Sequence, residues 1–228
     1  MVNSRSRQTN SAMRAQLIEA GIELLETDGP ESLQARRVAA AAGASTMAVY
    51  THFGGMTELL GAIVAEAFAR FGAALSAVAP SADPVADFFV MGYAYRRYAL
   101  DNPQRYRLMF GLATPSEPPA TTHDFTAAPV TDAIGAETFE QLVTVVDRMI
   151  AAERIRADPI RDVAARLWSL IHGIVLLDLS GSFGAEDRAI TQILIPATVD
   201  ILVGMGADRT HIESSLTRAA ETIFGRAD

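Results

Sequence analysis

The sequence predicts an all-α protein, with a three-helix unit at the N-terminus followed by a larger helical bundle. Three observations carry this. Alanine is abundant while runs of Val, Ile and Thr are scarce, which favours helix over strand. Apolar residues recur at intervals of three and four along most of the chain. Gly and Pro fall between those periodic stretches, several of them beside a side chain suited to capping.

Each element follows in order. Met13, Leu17, Gly21, Leu24 and Leu25 repeat at helical spacing and predict a first helix over 11–27, stopped by Asp28-Gly29-Pro30. Ser32 is expected to cap a second helix, with Leu33 and Val38 facing inward and Ala39 to Ala42 packing closely. Gly43 ends that helix in a tight turn. Ser45 is expected to cap a short third helix reaching His52, and Gly54-Gly55 breaks the chain again. A fourth helix, over about 56–79, carries a stripe of Leu60, Ile63, Val64, Ala67, Phe68, Phe71 and Leu75. Asp83-Pro84, Asn102-Pro103 and Asp158-Pro159 each set a capping side chain before a proline at the first helical position. They predict helices over 84–101, 103–111 and 159–179. Further helices are expected over 136–155, 186–204 and 208–224, with a kink at Pro196. The segment 112–130 holds four prolines and reads as a long loop.

Composition narrows the function. The 228 residues are half apolar and one-fifth charged, as in an ordinary folded chain. Two domains are expected, 1–55 and 56–228, joined by the fourth helix. There is no cysteine, so disulfides and thiol chemistry are excluded. The four histidines are scattered, and neither a metal nor another cofactor is expected. Residues 1–10 lack the apolar stretch of a signal peptide. Strongly apolar stretches such as 167–177 have about 11 residues against the ~20 of a membrane span, so a soluble, cytoplasmic protein is expected, with no membrane partner.

No enzymatic pattern survives inspection. Ser180-Gly181-Ser182-Phe183-Gly184 departs from the nucleophile elbow. Gly204-Met205-Gly206 lacks the third glycine of a dinucleotide loop, and His211-Ile212-Glu213 lacks a second histidine. Catalysis is not expected.

The net charge of −8 is unevenly spread. Residues 1–55 hold five arginines (5, 7, 14, 36, 37) and five acids (19, 23, 26, 28, 31), a balance of zero, so the whole excess lies beyond them. Every fixed cation is arginine, which can bind bidentately. A local basic face on an acidic protein is compatible with phosphate attraction.

Leu33 to Phe53 carries the functional pattern. A helix-turn-helix needs a first helix against the phosphate backbone, a glycine-containing turn, and a second helix whose N-terminal residues reach base edges in the major groove. Gly43 supplies the turn. Val38, Ala39, Val49 and Phe53 are apolar where the helices must pack, leaving Thr46, Met47, Ala48, Tyr50, Thr51 and His52 for the outer surface.

With Val38-Ala39, Ala42-Gly43-Ala44-Ser45, Val49-Tyr50-Thr51-His52-Phe53 and Glu58-Leu59-Leu60, the chain resembles the tetracycline-repressor family over about residues 11–65. The resemblance implies a sequence-specific regulator that binds a double-stranded, roughly palindromic operator as a homodimer. It commonly implies a repressor released by a small-molecule effector, here of unknown identity. It also implies DNA contacts from Gln34, Arg36, Arg37, Ser45, Thr46, Met47, Ala48, Tyr50, Thr51 and His52. Arg36 can be bidentate to guanine; Met47 and Ala48 have no donors and can read only thymine methyls or shape. Arg5, Arg7 and Arg14 are candidate phosphate ligands. The family often has Lys where this chain has Met56, which implies one phosphate contact fewer and a shallower salt dependence.

Farther on, Asn102 to Gly111 and Trp168-Ser169-Leu170-Ile171-His172-Gly173 resemble a subgroup of that family with a Trp…His-Gly helix in its ligand domain. Phe89, Tyr93, Tyr106, Met109, Phe110, Trp168 and His172 are the candidate ligand-binding residues: mostly apolar, with a few polar anchors. The helix from Asp162 to Leu179 is apolar on nearly every side, so it is expected to face both its own core and a two-fold partner. Leu170, Gly173, Ile174, Leu177, Ile193 and Val199 are the candidate dimer contacts. A second reading keeps the fold but not the DNA: a helical interaction module with a degenerate helix-turn-helix, favoured by the acidic charge and Met56.

Overall fold

A computed structural model describes residues 2–112, 124, 126–129, 133–184 and 188–225, with side chains from Asn10 onward. Most of the expected 112–130 loop, residues 186–187, and the side chains of Arg5 and Arg7 lie outside the described residues. The described residues form ten α-helices and no strand, the all-α class the sequence predicts: α1 (Val2–Asp28), α2 (Ala35–Ala41), α3 (Thr46–Phe53), α4 (Met56–Leu75), α5 (Pro84–Asp101), α6 (Pro103–Met109), α7 (Ala136–Ala151), α8 (Ile160–Leu179), α9 (Ile195–Gly204) and α10 (Arg209–Phe224). None of these helices is long and apolar enough to cross a membrane.

Several boundaries differ from expectation for identifiable reasons. α1 begins at Val2, well before residue 11. The apolar stripe marks where packing starts, and nothing in the polar stretch before it breaks a helix. Ser32 does not cap α2. It ends a 3₁₀ turn over Pro30–Ser32, is fully buried, and its hydroxyl donates to the carbonyls of Leu24 (2.9 Å) and Gly29 (2.6 Å). It therefore closes the end of α1, and α2 starts three residues later, after the extended Gln34 (φ −118°, ψ 138°). Asp83 caps α5 as predicted, accepting from the Val85 and Ala86 amides at 3.1 and 3.2 Å. Asp158 does not cap α8. Its carboxylate is taken by Arg156 (3.0 Å) and Arg166 (3.2 Å), and Pro159 itself occupies the N-cap position. The kink expected at Pro196 takes the form of a π-helical segment, Ala189–Leu194, closed by the Ile195 amide donating to the Ile190 carbonyl. A proline cannot donate to the carbonyl four residues back, and a wider turn absorbs that loss.

The described residues part into two compact units. One runs to Arg70 and resumes at Asn102 with α6; the other holds Phe71–Asp101 and the described residues from Asp124 onward. The division thus falls inside α4.

In the first unit, Leu17, Ile22 and Leu25 of α1 pack with Val38, Val49, Leu59, Ile63 and Leu108. Each such side chain contributes on the order of 2 kcal/mol by leaving water. α1 and α4 touch at Gly21, where an added Cβ would lie 2.4 Å from Ile63 Cδ1, so only glycine fits undisturbed. Arg70 of α4 clamps Glu19 of α1 and Glu66, and its guanidinium holds the Glu19 carboxyl below its usual range. In the second unit, Val85 and Phe88 (α5), Phe139, Val146 and Met149 (α7), Val163 and Leu167 (α8), Leu202 (α9) and Ile212 (α10) form the core. Ion pairs fasten its rim: Arg148 to Asp87 at 2.6 Å, Arg161 to Glu140 at 2.8 Å, and Arg218 to Asp83.

Candidate nucleic-acid interface

The turn between α2 and α3 is built by one residue. Ala42 closes α2, and Gly43 enters the left-handed region at φ +65°. The Gly43 amide donates to the Ala40 carbonyl (3.1 Å) and the Ala44 amide to the Ala39 carbonyl (2.8 Å). These two bonds satisfy carbonyls that a helix end leaves open, and they re-aim the chain for α3. Ser45 stands at the N-cap of α3 in extended conformation, but its hydroxyl makes no capping bond, contrary to expectation. The side chain is exposed instead, and only the Ser45 carbonyl enters the helix, accepting from Ala48 at 2.8 Å.

α3 has two faces. Val49 is fully buried against α1 and α2, and Phe53 lies half-buried with the Arg14 guanidinium 4.9 Å from its ring centroid. A cation on the face of an aromatic ring steadies both. On the other side Thr46, Met47, Tyr50 and Thr51 are exposed, Met47 to 67% and Tyr50 to 52%. Ala48 and His52 are half-buried at the edges. The Thr51 hydroxyl donates back to the Met47 carbonyl at 2.9 Å.

α2 separates two arginines that the sequence presents as a pair. Arg37 is bound to Asp28 at the end of α1. Arg36 is exposed and, among the described residues, has no ionic partner. Gln34 donates to the Glu31 carbonyl at 3.1 Å. Met56 is half-buried against the core of this unit, so it serves packing where a lysine would serve phosphate.

A family model described as bacterial regulatory proteins, tetR family, matches residues 17–63. A second, described as tetracyclin repressor-like, C-terminal domain, matches 88–200, and the two together span well over half of the chain. The chain belongs to the tetR family of bacterial regulatory proteins. It is a DNA-binding transcriptional regulator. It is similar to the HTH-type transcriptional regulator Rv1816 of Mycobacterium tuberculosis, 24% identical over 90% of this chain and 96% of that protein. Among solved structures it is similar to a protein of unknown function from Rhodococcus (TM-score 0.66, 26% identity, 85% and 95% of the two chains). RolR, solved in complex with resorcinol, shares the fold (TM-score 0.62, 16% identity, 93% and 96%).

In this tetR-family chain the candidate ligand residues divide between the units. Tyr106 and Met109 are buried, and Phe110 half-buried, in the first, where the Tyr106 and Phe110 rings stand 4.8 Å apart. Phe89, Tyr93, Trp168 and His172 are half-buried in the second. Trp168 and His172, one turn apart on α8, have ring centroids 5.5 Å apart. Burial holds the His172 imidazole below its ordinary value. The Tyr95 hydroxyl, 3.0 Å from His172 Nδ1, was missed by the sequence reading, which chose Tyr93. Spacing offered the signal: Tyr95 lies seven residues after the buried Phe88, on the same stripe of α5, whereas Tyr93 packs edge-on against Phe224 at 5.5 Å. Of the candidate dimer contacts, Ile174 and Val199 are buried within their own chain. Leu170, Gly173 and Ile193 are half-buried, and Leu177 is 49% exposed. Leu177 is thus open in the single chain, on the helix expected to face both its own core and a two-fold partner.

Proposed function

We propose that the chain is a repressor that binds a roughly palindromic operator as a homodimer and is released by a small, largely apolar ligand. The observation that carries this is the outer face formed by α2 and α3. Arg36 has no ionic partner among the described residues, and Met47 and Tyr50 stand out from the short helix that follows a glycine turn. Gln34, Arg36, Arg37, Ser45, Thr46, Met47, Ala48, Tyr50, Thr51 and His52 line the DNA, and residues 1–55 act as the DNA-binding domain. Two copies of α3 enter successive major grooves. Residues 56–228 hold the ligand and the two-fold contact. Leu177, exposed on α8, supports a partner at that face, together with Leu170, Gly173 and Ile193. Ile174 and Val199 back that face from within. A small aromatic bound by RolR, a protein of the same fold, supports a ligand of that size near Phe89, Tyr93, Trp168 and His172, with Tyr106, Met109 and Phe110 as further candidates. The ligand weakens DNA binding by favouring a spacing of the two α3 helices that fits the operator poorly, a coupling between two sites.

Fluorescence-anisotropy titration of the chain against DNA from its own upstream region, beside a scrambled duplex, tests this. Selective binding is expected, and Arg36→Ala should weaken it by about 10- to 100-fold and relax the preference for the contacted guanine. Equal, weak binding to both duplexes would sink the regulator reading for that operator. A ligand that saturates the protein without loosening the operator would sink the release mechanism alone.

A further inference from the structure

Resting on the DNA-binding reading, we propose that α3 reads the 5-methyl group of a pyrimidine in the major groove, thymine above all, and that Met47 is the side chain that determines this specificity. The outward face of α3 runs through Met47, Tyr50 and Thr51, spaced three and four apart. Met47 is 67% exposed and its thioether is only a weak acceptor. Ala48 beside it has no polar side-chain atom. Thr51 has one hydroxyl proton, and that proton goes to the Met47 carbonyl at 2.9 Å. Met47, Ala48 and Thr51 therefore present methyl and thioether surface and no available donor. The donors stand beside them, in Thr46, Tyr50 and, from α2, Arg36.

Base-pair edges differ in what such a surface can meet. Guanine and adenine show ring-nitrogen acceptors, and adenine and cytosine show amino donors. Pressing methionine onto any of these removes water from a polar group without replacing its hydrogen bond. Thymine alone among the four bases shows an apolar group there. Contact with that methyl removes exposed apolar surface from both partners. An unbranched, polarizable side chain suits the contact because it adapts to the groove. Selectivity then has two sources acting in one direction: a methyl attracted, and polar edges left unpaired in the alternatives.

The test begins with selection of duplexes bound by the full chain from a random library. The selected duplex is then titrated by anisotropy beside copies in which deoxyuridine replaces each thymidine in turn. Deoxyuridine keeps every hydrogen-bonding atom and deletes only the methyl. One position per half-site is expected to weaken binding about four-fold, and both half-sites together roughly fifteen-fold, the effect of losing one methyl contact each. Met47→Ala, at an exposed position, should keep the helical circular-dichroism spectrum and lose the distinction between the two duplexes. Replacing the sensitive T·A pair by 5-methylcytosine·guanine separates the two sources of the methyl. Tighter binding than with unmethylated cytosine supports a contact open to either base; equal binding restricts it to thymine. If every deoxyuridine duplex binds as tightly as the selected one while a scrambled duplex does not compete, methyl readout is wrong and DNA binding stands. If no duplex is enriched, the underlying DNA-binding reading fails with it.

Discussion

The outer face of α3 and the seam between α5 and α8 carry similar side chains and use them in opposite ways. On α3 and α2, Arg36, Met47 and Tyr50 reach outward with no described partner. Along α5 and α8, polar groups are committed to one another. The Tyr95 hydroxyl meets His172 at 3.0 Å, and Arg96 Nε donates to Asp178 at 2.8 Å, with side chains only 10% and 12% exposed. The first arrangement leaves chemistry for a partner. The second fixes how two helices meet, because neighbouring residues of α5 each find one match on α8. Mutation should therefore separate the regions: the α3 face should lose binding and keep stability, and the seam should do the reverse.

The largest effect is expected at the buried pair. Asp178→Ala leaves the Arg96 guanidinium without that carboxylate in a dry place, and should cost about 3 kcal/mol in urea unfolding followed by circular dichroism. Replacing both partners by Arg96→Met and Asp178→Leu should recover most of that, since two apolar groups need no compensation. Tyr50→Ala or Arg36→Ala should change the same unfolding free energy by less than about 0.5 kcal/mol. If Asp178→Ala unfolds no more readily than the parent chain, the seam is not held as described and the contrast dissolves.

A smaller effect sharpens the picture within the first unit, where two glycines matter for different reasons. Gly21→Ala would force its Cβ against Ile63 Cδ1 and should cost about 1–3 kcal/mol by overpacking. Gly43→Ala meets no atom within 4 Å but must hold φ +65°, at about 1–2 kcal/mol. Ile63→Val removes the very atom in the way. It should rescue Gly21→Ala and leave Gly43→Ala unimproved; thermal unfolding of the four variants distinguishes space from conformation.

What the sequence made legible follows the same division. The helix-turn-helix was readable because its signals are local: a glycine at the turn, apolar residues at Val38 and Val49, and exposed ones between. Asp83 as a cap was readable for the same reason. Ser32 and Asp158 misled because a capping residue type says nothing of competitors, and the competitors, the Leu24 carbonyl and the Arg166 guanidinium, are brought by the fold. The pairing of Arg96 with Asp178, 82 residues apart, has no local trace. Arg36 and Arg37 looked alike in sequence; only the return of the chain past Asp28 tells them apart.

The smallest effect expected is with pH, and its sign tests how dry the seam is. Burial keeps the His172 imidazole from taking a proton at its ordinary value near 6.5. Above that pH, folded and unfolded chains are alike at this site. As pH falls through it, the unfolded chain binds a proton that the folded chain refuses, so the folded state loses stability. Carboxylates do not confuse this window. Asp83 is pushed up by its burial but held lower overall by Ser215, Arg218 and the Ala86 amide, and its contribution fades only as pH drops below its ordinary 3.8. The urea midpoint of the parent chain should therefore fall between pH 7.5 and 5.5 by more than that of His172→Gln. Parallel falls would mean that His172 accepts the proton as readily folded as unfolded. Water would then reach the ring beside Tyr95, and the seam would resemble the α3 face more than it resembles a core.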